Sequence, residues 1–269
     1  MLHGKRVLIT GSSQGIGFGV AEAMLRHGAA VVLTSEQPLE ACDDVRDLLH
    51  RSERATYLQA DLGDDEAIPE LVAESWNALG GLDVVVNNLG TFREPAFGDI
   101  SRSDFDRIFG LNVWTALAVS QAFVGLARAA RRGGRLLFSS SLNATRSEPG
   151  HALYDASKGA IEALVRQLAI ELAPYGFTTA AVAPGLVETP LTDFGLQSSP
   201  AERELIAGQI PLRRIATVAD LAEWYCFLAS DAAAYATGLV VKVDGGLDAQ
   251  QMALRPLGAG EPGGDRCRA

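Results

Sequence analysis

Seven short apolar runs recur along the chain up to about Gly246, and longer segments with helical periodicity separate them. The runs are nearly continuous in Val, Leu and Ile and do not alternate with polar residues, which is typical of strands buried on both faces of a sheet. They predict strands at Arg6–Thr10, Ala30–Thr34, Thr56–Gln59, Leu82–Asn87, Arg135–Ser139, Thr178–Val182 and Leu239–Val243.

The intervening segments carry apolar residues at the spacing of amphipathic helices. They predict helices at Ile16–Arg26, Leu39–Leu49, Asp65–Ala78, Ser103–Arg131, Ala152–Tyr175 and Val218–Ser230. Such alternation predicts parallel βαβ units wound on both faces of one sheet. We therefore expect an α/β fold, a single-domain doubly wound (Rossmann-type) parallel sheet of about seven strands over residues 1–250, and the 269-residue chain is long enough to bury its core.

Two segments depart from this alternation. Residues 188–212 contain three prolines and two glycines, and a long insertion after a late strand predicts a substrate lid, with a plain surface connection as the alternative. Residues 251–269 are rich in Gly and Arg and poor in core-forming residues. We expect them to form a mobile C-terminal tail.

Composition narrows the partners and the compartment. The formal net charge of −10 argues against nucleic acid and anionic membrane, because phosphate binding needs a basic surface. No apolar run approaches the roughly 18 residues that span a bilayer, and the first residues lead directly into a strand, so we expect no signal peptide. The three cysteines are widely spaced and odd in number, which indicates no disulfide framework and suits the cytoplasm.

A glycine-rich turn follows the first strand. Residues 11–17 read Gly-Ser-Ser-Gln-Gly-Ile-Gly, and a helical pattern begins there. Glycines let the backbone approach a pyrophosphate, and the N-terminus of a helix presents unpaired N–H groups and partial positive charge. The spacing alone also allows a tight turn without a ligand, or a methyltransferase that uses S-adenosylmethionine.

Tyr154 and Lys158 lie four residues apart at the start of a helical segment, so their side chains project from the same face. A nearby cation favours the phenolate and brings the pKa of a tyrosine towards the working pH, where it can exchange a proton with an alcohol or carbonyl oxygen. Upstream, a predicted strand ends in Ser139, Ser140 and Ser141, at the strand edge where open α/β sheets bind ligands. An incidental surface pair and a turn-forming serine are the alternatives.

Together, these motifs resemble the short-chain dehydrogenase/reductase family over about residues 5 to 248. The cofactor turn at 10–17, Asn87-Asn88-Leu89-Gly90, Asn112, Ser141 with Tyr154 and Lys158, the segment 184–189 and the segment 243–246 occur in the family's order and at its intervals. The resemblance implies a reaction that moves a hydride between NAD(P) and an alcohol or carbonyl carbon of a small molecule. A catalytically silent dinucleotide sensor on the same fold is the alternative, although intact catalytic residues favour an enzyme.

The resemblance also implies the role of each residue. Tyr154 is the expected general acid/base, Lys158 lowers its pKa and binds the nicotinamide ribose, and Ser141 holds the substrate oxygen. Asn112 is expected to order a water relay towards Lys158, and no metal is expected. The cofactor-binding residues implied are Gly11, Ser13, Gln14, Gly15, Ile16, Gly17, Ser35, Glu36, Asp61, Leu62, Asn88, Gly90, Tyr154, Lys158, Pro184, Gly185, Val187 and Thr189. Within this set, Asp61 and Leu62 would contact adenine, and Val187 and Thr189 the carboxamide.

The choice between NAD and NADP depends on the end of the second strand. Members of the family that use NAD commonly carry Asp where this chain has Ser35, and members that use NADP commonly carry Arg where it has Glu36. A carboxylate at Glu36 can accept a hydrogen bond from the ribose 2′-OH and repels a 2′-phosphate, which favours NAD. Leu89 replaces the family's usual Ala and narrows the space near the adenosine ribose. Family members are commonly tetramers or dimers, so we also expect a homo-oligomer, packed through the long helices 103–131 and 152–175.

Overall fold

A computed structural model describes residues 1–190 and 199–251. Seven parallel strands form one sheet in the spatial order β3-β2-β1-β4-β5-β6-β7. The strands are β1 (Arg6–Ile9), β2 (Ala30–Ser35), β3 (Ala55–Gln59), β4 (Val84–Asn87), β5 (Gly134–Ser139), β6 (Phe177–Pro184) and β7 (Leu239–Val243). All seven strand predictions and the fold class are confirmed.

Eight α-helices lie in the described part of the chain, and six of them cover the sheet. The eight are α1 (Gly15–Arg26), α2 (Asp43–Arg51), α3 (Ala67–Leu79), α4 (Arg102–Phe109), α5 (Thr115–Ala129), α6 (Ala152–Leu172), α7 (Pro200–Gln209) and α8 (Val218–Ala229). One face of the sheet packs against α1, α2 and α8 and the other against α3, α5 and α6, so that a separate apolar cluster fills each layer. Because apolar residues cover both faces, the strands read as continuous apolar runs.

The long helix predicted over Ser103–Arg131 is interrupted. Residues Gly110–Trp114 form a π-helical turn between α4 and α5, and such turns occur mostly as single-turn bulges in α-helices, frequently at functional sites. The hydroxyl of Thr115 donates to the carbonyl oxygens of Leu62 and Gly110 at 3.1 and 3.0 Å, which ties the turn to the neighbouring loop. The hydrophobic periodicity continues across this turn, so the sequence pattern by itself did not predict the interruption.

The stretch Arg102–Ala129 is long and apolar enough to cross a membrane by length and composition alone, with mean hydropathy 1.4 in its most apolar window. The expectation that nothing in the chain comes near this length is thus wrong. About 39% of the window is buried inside the protein, and Val119, Phe123 and Ala127 pack into the core. Core helices of globular proteins meet the same length and composition criteria, so this stretch is weak evidence for a span.

The predicted lid and tail fall partly or wholly outside the described residues. Within residues 188–212 the described part holds α7, whose first turn is closed by a reciprocal capping box between Ser199 and Glu202. Residues 191–198 of the lid lie outside the described part, and so do residues 252–269 of the tail. The lid, the mobile tail and the single domain over 1–250 remain predictions.

Candidate functional site

The order of strands reverses between β1 and β4, and a cleft of about 290 Å³ opens at the carboxyl edge of the sheet near this point. Ligands of open α/β sheets bind in such a crevice, because the connections leave these strand ends towards opposite faces. The described residues that line the cleft are Gly11, Ser13, Gln14, Gly15, Ile16, Ser35, Glu36, Asn88, Leu89, Gly90, Thr91, Ser139, Ser140, Ser141, Tyr154, Lys158, Pro184, Gly185, Val187, Thr189 and Pro190.

Most of the residues predicted to bind cofactor or substrate therefore meet at one cleft. Four of the predicted residues do not line it: Gly17, Asp61, Leu62 and Asn112. Gly17 packs directly beneath the glycine turn, and Asn112 lies behind Thr91, which itself lines the cleft. Asp61 and Leu62 follow the carboxyl end of β3, and their adenine contact remains a prediction.

The glycine turn requires glycine at three positions. Gly11 and Gly15 both have φ of +59°, the left-handed region that side chains with a Cβ rarely adopt. A Cβ on Gly17 would lie 2.5 Å from the carbonyl oxygen of Gly11 and 2.5 Å from Nδ2 of Asn88. The N-cap residue Gln14 forms no side-chain cap on α1, and no acidic residue occupies the first turn. The turn is closely packed, and it places the first backbone amides of α1 at the cleft.

Asn88 fixes this turn to the sheet. Its Nδ2 donates to the carbonyl oxygens of Thr10 and Gly11 at 3.2 and 2.9 Å, and its Oδ1 accepts from the hydroxyl of Ser139 at 3.0 Å. The Ser139 hydroxyl also bonds the buried phenol of Tyr225 at 2.7 Å. This chain of hydrogen bonds joins the end of β1 to the end of β5. The Asn88 side chain therefore holds the backbone of the glycine turn in place.

Ser141, Tyr154 and Lys158 converge on the opposite end of the cleft. Ser141 follows β5 and begins a short 3₁₀ turn at Leu142–Ala144, and α6 carries the other two residues. The ammonium of Lys158 lies 5.6 Å from the centroid of the Tyr154 ring and donates to the carbonyl oxygen of Ser139 at 2.8 Å. The phenol, the hydroxyl and the ammonium therefore line one cleft. The helical spacing of Tyr154 and Lys158 indicated that these two side chains project from the same face.

Burial is the largest influence on the pKa values of Tyr154 and Lys158. Burial raises the pKa of Tyr154, and the Ser141 hydroxyl opposes this rise, while the carboxylates of Asp155 and Glu148 add to it. Burial lowers the pKa of Lys158 to about 8. Desolvation of the phenol is thus the largest effect on the pKa of Tyr154, and the lowering of that pKa by Lys158 remains a prediction.

Asn112 occupies the π-helical turn and is buried. Its Oδ1 accepts from the backbone N–H of Thr91 at 2.7 Å, and its Nδ2 donates to the carbonyl oxygen of Thr91 at 2.9 Å and to the Ser157 hydroxyl at 2.9 Å. The side chain therefore pins the loop after β4 to α6. It does not bond its own helix, and its predicted part in a water relay remains a prediction.

The end of β2 brings Ser35 and Glu36 to the cleft. Ser35 is buried, and its hydroxyl accepts from the backbone N–H of Gln37 at 3.0 Å and lies 3.4 Å from a Glu36 carboxylate oxygen. Glu36 is exposed at the cleft. Asp61, by contrast, accepts the backbone N–H of Gly63 at 2.9 Å and closes a turn after β3.

Arg146 and His151, which lie between β5 and α6, are both engaged by other side chains. Arg146 donates to the carboxylate and the carbonyl oxygen of Asp248 at 2.8 and 2.7 Å, which ties the segment after β7 to the loop after β5. His151 lies 3.4 Å from Glu148, and its ring contacts those of Phe92 and Tyr154 edge to face. His151 thus lies beside the Tyr154 ring, whereas the Arg146 guanidinium is directed to Asp248.

Sequence reasoning missed several residues at the site. Thr91, Ser139, Ser140 and Pro190 line the cleft but were assigned no binding role. Thr91, Ser139 and Ser140 lie at or shortly after the carboxyl ends of β4 and β5, where open α/β sheets bind ligands. The strand prediction alone therefore indicated that they could line a binding cleft. Glu94 was missed for a different reason, because its contacts join the loop after β4 to α6, far away in the sequence.

Comparison with known proteins gives consistent matches over nearly the whole chain. The family model described as enoyl-(acyl carrier protein) reductase matches residues 11–248. Oxidoreductase UcpA of Salmonella typhimurium is 36% identical over 255 residues, covering 91% of this chain and 95% of that protein. Versicolorin reductase stcU of Emericella nidulans is 34% identical over 256 residues, with 91% and 96% covered.

Solved structures agree with these relatives. A putative short-chain alcohol dehydrogenase from Sinorhizobium meliloti is 33% identical with a TM-score of 0.86, covering 93% of this chain and 98% of that one. A putative 2-deoxy-D-gluconate 3-dehydrogenase from Agrobacterium tumefaciens, solved with bound NADP, is 30% identical with a TM-score of 0.84 and the same coverage. The chain therefore belongs to the short-chain dehydrogenase/reductase family of oxidoreductases, as its motifs predicted.

Proposed function

We propose that the protein moves a hydride between NAD(P) and the carbon of a small secondary alcohol or carbonyl compound, with Tyr154 as the general acid/base. The observation that carries this proposal is the cleft that joins the glycine turn to Tyr154, Lys158 and Ser141. When bound, NAD(P) would supply or take up the hydride, and the protein's residues would handle the proton and the orientation of the substrate.

The glycine turn fits the pyrophosphate of a dinucleotide. The cleft is lined there by Gly11, Gly15 and Ile16, and the first amides of α1 carry the partial positive charge of a helix N-terminus. The close approach of backbone to backbone at Gly17 leaves no room for a side chain. The related structure from Agrobacterium tumefaciens holds NADP, which supports a nicotinamide dinucleotide as the cofactor here.

Tyr154 would donate its proton to a carbonyl oxygen during reduction, or accept the proton of an alcohol during oxidation. Burial raises the pKa of Tyr154, so the phenol holds its proton at neutral pH and is ready to donate it. Ser141 would hold the substrate oxygen within reach. Lys158, whose pKa is about 8, is charged at neutral pH and would stabilise the phenolate that forms when the proton leaves.

Replacement of Tyr154 with Phe tests the proposal. A screen of alcohols and carbonyl compounds against NAD(H) and NADP(H), read by nicotinamide absorbance, first identifies a substrate. Tyr154→Phe is expected to lower kcat/KM at least about 100-fold, because general acid/base catalysis contributes that much. Tyr175→Phe is the matched control, since that half-exposed ring packs under Arg128 away from the cleft. Retained turnover in Tyr154→Phe, or none in the parent across the panel, would support the dinucleotide sensor.

We also propose that NAD is preferred over NADP. The exposed Glu36 carboxylate at the cleft can accept from a ribose 2′-OH and repels a 2′-phosphate. NADH is expected to bind more tightly than NADPH in a fluorescence titration, and Glu36→Arg to reverse the order. Glu40→Arg adds the same charge at an exposed position that does not line the cleft, and should leave the order unchanged. Tighter binding of NADPH to the parent would refute this preference.

The relatives' names span different substrates, a versicolorin and a deoxygluconate among them, so the panel should include a versicolorin and 2-deoxy-D-gluconate.

We further propose a cytoplasmic homo-oligomer. Phe105, Trp114 and Ile170 are exposed on α4, the π-helical turn and α6, which supports association through these helices. Light scattering coupled to gel filtration tests the oligomer, and cell fractionation tests the compartment. A monomer or a membrane-bound fraction would contradict the proposal.

A further inference from the structure

The helix that carries the catalytic pair begins without a cap of its own. The N-cap residue His151 forms no side-chain hydrogen bond to the first turn of α6, although the first amides of every helix need partners outside the helix. The Glu94 carboxylate supplies them from a distant part of the chain. Its Oε1 accepts from the backbone N–H of Leu153 at 3.1 Å, and its Oε2 accepts from the backbone N–H of Tyr154 at 2.8 Å.

The loop that presents Glu94 is itself fixed on both sides. Asn112 bonds both the N–H and the carbonyl oxygen of Thr91, and the guanidinium of Arg107 donates to the carbonyl oxygen of Arg93 at 2.7 Å. Between them, the ring of Phe92 lies 6.3 Å from that of Tyr154 at an interplanar angle of 74°. The loop after β4 thus touches both the backbone and the side chain of Tyr154.

We infer that Glu94 is a positioning residue for the reaction proposed above, on which this inference rests. Both carboxylate oxygens hold the first turn of α6, and a negative charge at this end of a helix also interacts favourably with its dipole. Because one of the two bonded amides belongs to Tyr154, Glu94 fixes where the phenol stands relative to β4 and the cleft floor. Displacement of a catalytic group by about 1 Å can cost on the order of 100-fold in rate.

Two substitutions at Glu94 and one control test this role. Glu94→Ala removes both acceptors, whereas Glu94→Gln keeps the shape and one acceptor oxygen. Asp220→Asn is the matched control, because Asp220 also caps a helix, accepting the backbone N–H of Thr217 at 2.8 Å at the start of α8. It does not line the cleft with Tyr154. The measurements are steady-state kinetics, dinucleotide affinity, unfolding temperature and amide hydrogen exchange of residues 152–156.

Glu94→Ala is expected to lower kcat about tenfold or more while leaving the dinucleotide Kd unchanged. Exchange at residues 152–156 should accelerate, because two amides lose their acceptors. Glu94→Gln should recover part of kcat. Asp220→Asn should lower the unfolding temperature without changing kcat or exchange in that segment.

A Glu94→Ala variant with the parent's kcat, or with unchanged exchange at residues 152–156, would overturn the positioning role alone. The same holds if Asp220→Asn loses as much kcat as Glu94→Ala, because the loss would then follow general destabilisation. A parent protein without turnover on any substrate would instead refute the proposed function, and the positioning role with it. The kinetics of the parent therefore distinguish the two failures.

Discussion

Replacement of Lys158 with Met is expected to stabilise the protein while it removes the turnover proposed above. The Lys158 residue is only 5% exposed, and its ammonium donates to the carbonyl oxygen of Ser139 at 2.8 Å. Burial lowers its pKa from 10.5 to about 8. A methionine fills a similar volume without a charge to desolvate, so the variant relieves the protein of a buried cation.

The magnitude follows from the fall in pKa. Each pKa unit corresponds to 1.36 kcal/mol, so the charged Lys158 lowers the free energy of unfolding by about 3 kcal/mol. Below about pH 8 both the folded and the unfolded chain hold the proton, and the whole cost is present. Between pH 8 and 10.5 the unfolded chain holds the proton more tightly, so stability rises with pH and the cost disappears. Loss of the Ser139 bond costs about 1 kcal/mol, which leaves a net gain of about 2 kcal/mol at pH 7.

Urea unfolding at pH 7 and at pH 10.5 measures this gain. Lys158→Met should be more stable than the parent at pH 7, and the difference should vanish or change sign at pH 10.5. Lys5→Met is the control, because Lys5 forms an exposed ion pair with Asp231, and such pairs contribute only about 0–1 kcal/mol. A Lys158→Met variant that is less stable than the parent at pH 7, or a difference independent of pH, would refute the reasoning.

Two further substitutions probe the glycine turn after β1 and the ion pairs of Asp83, which precedes β4. Gly17→Ala would place a Cβ 2.5 Å from the Gly11 carbonyl oxygen and is expected to cost about 1–3 kcal/mol of stability and to weaken dinucleotide binding, measured by denaturant unfolding and fluorescence titration. Gly125→Ala, where a Cβ meets nothing within 4 Å, should not weaken binding, and equal losses in both variants would contradict the explanation. Asp83 is half-buried: burial acts to raise its pKa, but hydrogen bonds from Arg6 and the charges of Arg6 and Arg132 lower it overall. Its contribution to stability is therefore fully present above pH 3.8 and declines as pH falls below that value, so Asp83→Asn should destabilise at pH 7 and progressively less in urea unfolding as the pH is lowered below 3.8. A loss independent of pH would contradict this assignment.

The sheet was predictable from the sequence because burial on both faces leaves a local signal. Each strand appears as an apolar run, and only the ends shifted. β6 continues to Pro184 because Ala183 and Pro184 still pair with β7. α3 begins at Ala67 and not at Asp65, because the Asp64 side chain and carbonyl oxygen accept the amides of Glu66 and Ala67 and close a turn first.

The candidate site was predictable only as far as its residues belong to motifs. The helical spacing of Tyr154 and Lys158 placed both on one face of α6, and the structure brings them to the same cleft. The π-helical turn at Asn112 and the contact of Glu94 with α6 left no local pattern, because each depends on elements that meet only in the folded chain. The direction of the Tyr154 pKa shift likewise depends on burial, which spacing does not reveal.

The burial that sets the charge state of Lys158 also follows from the order of the strands. The ammonium bonds the last carbonyl oxygen of β5, whose hydrogen-bonding strand neighbours are β4 and β6. Because β5 lies between β4 and β6, its end is flanked by the ends of two other strands. These strand ends and α6 shield the ammonium of Lys158 from water. A cation held at an edge strand would keep its hydration and an ordinary pKa. The same placement therefore lowers the stability of the fold and keeps the charge of Lys158 within 5.6 Å of the phenol ring, where water would otherwise screen it.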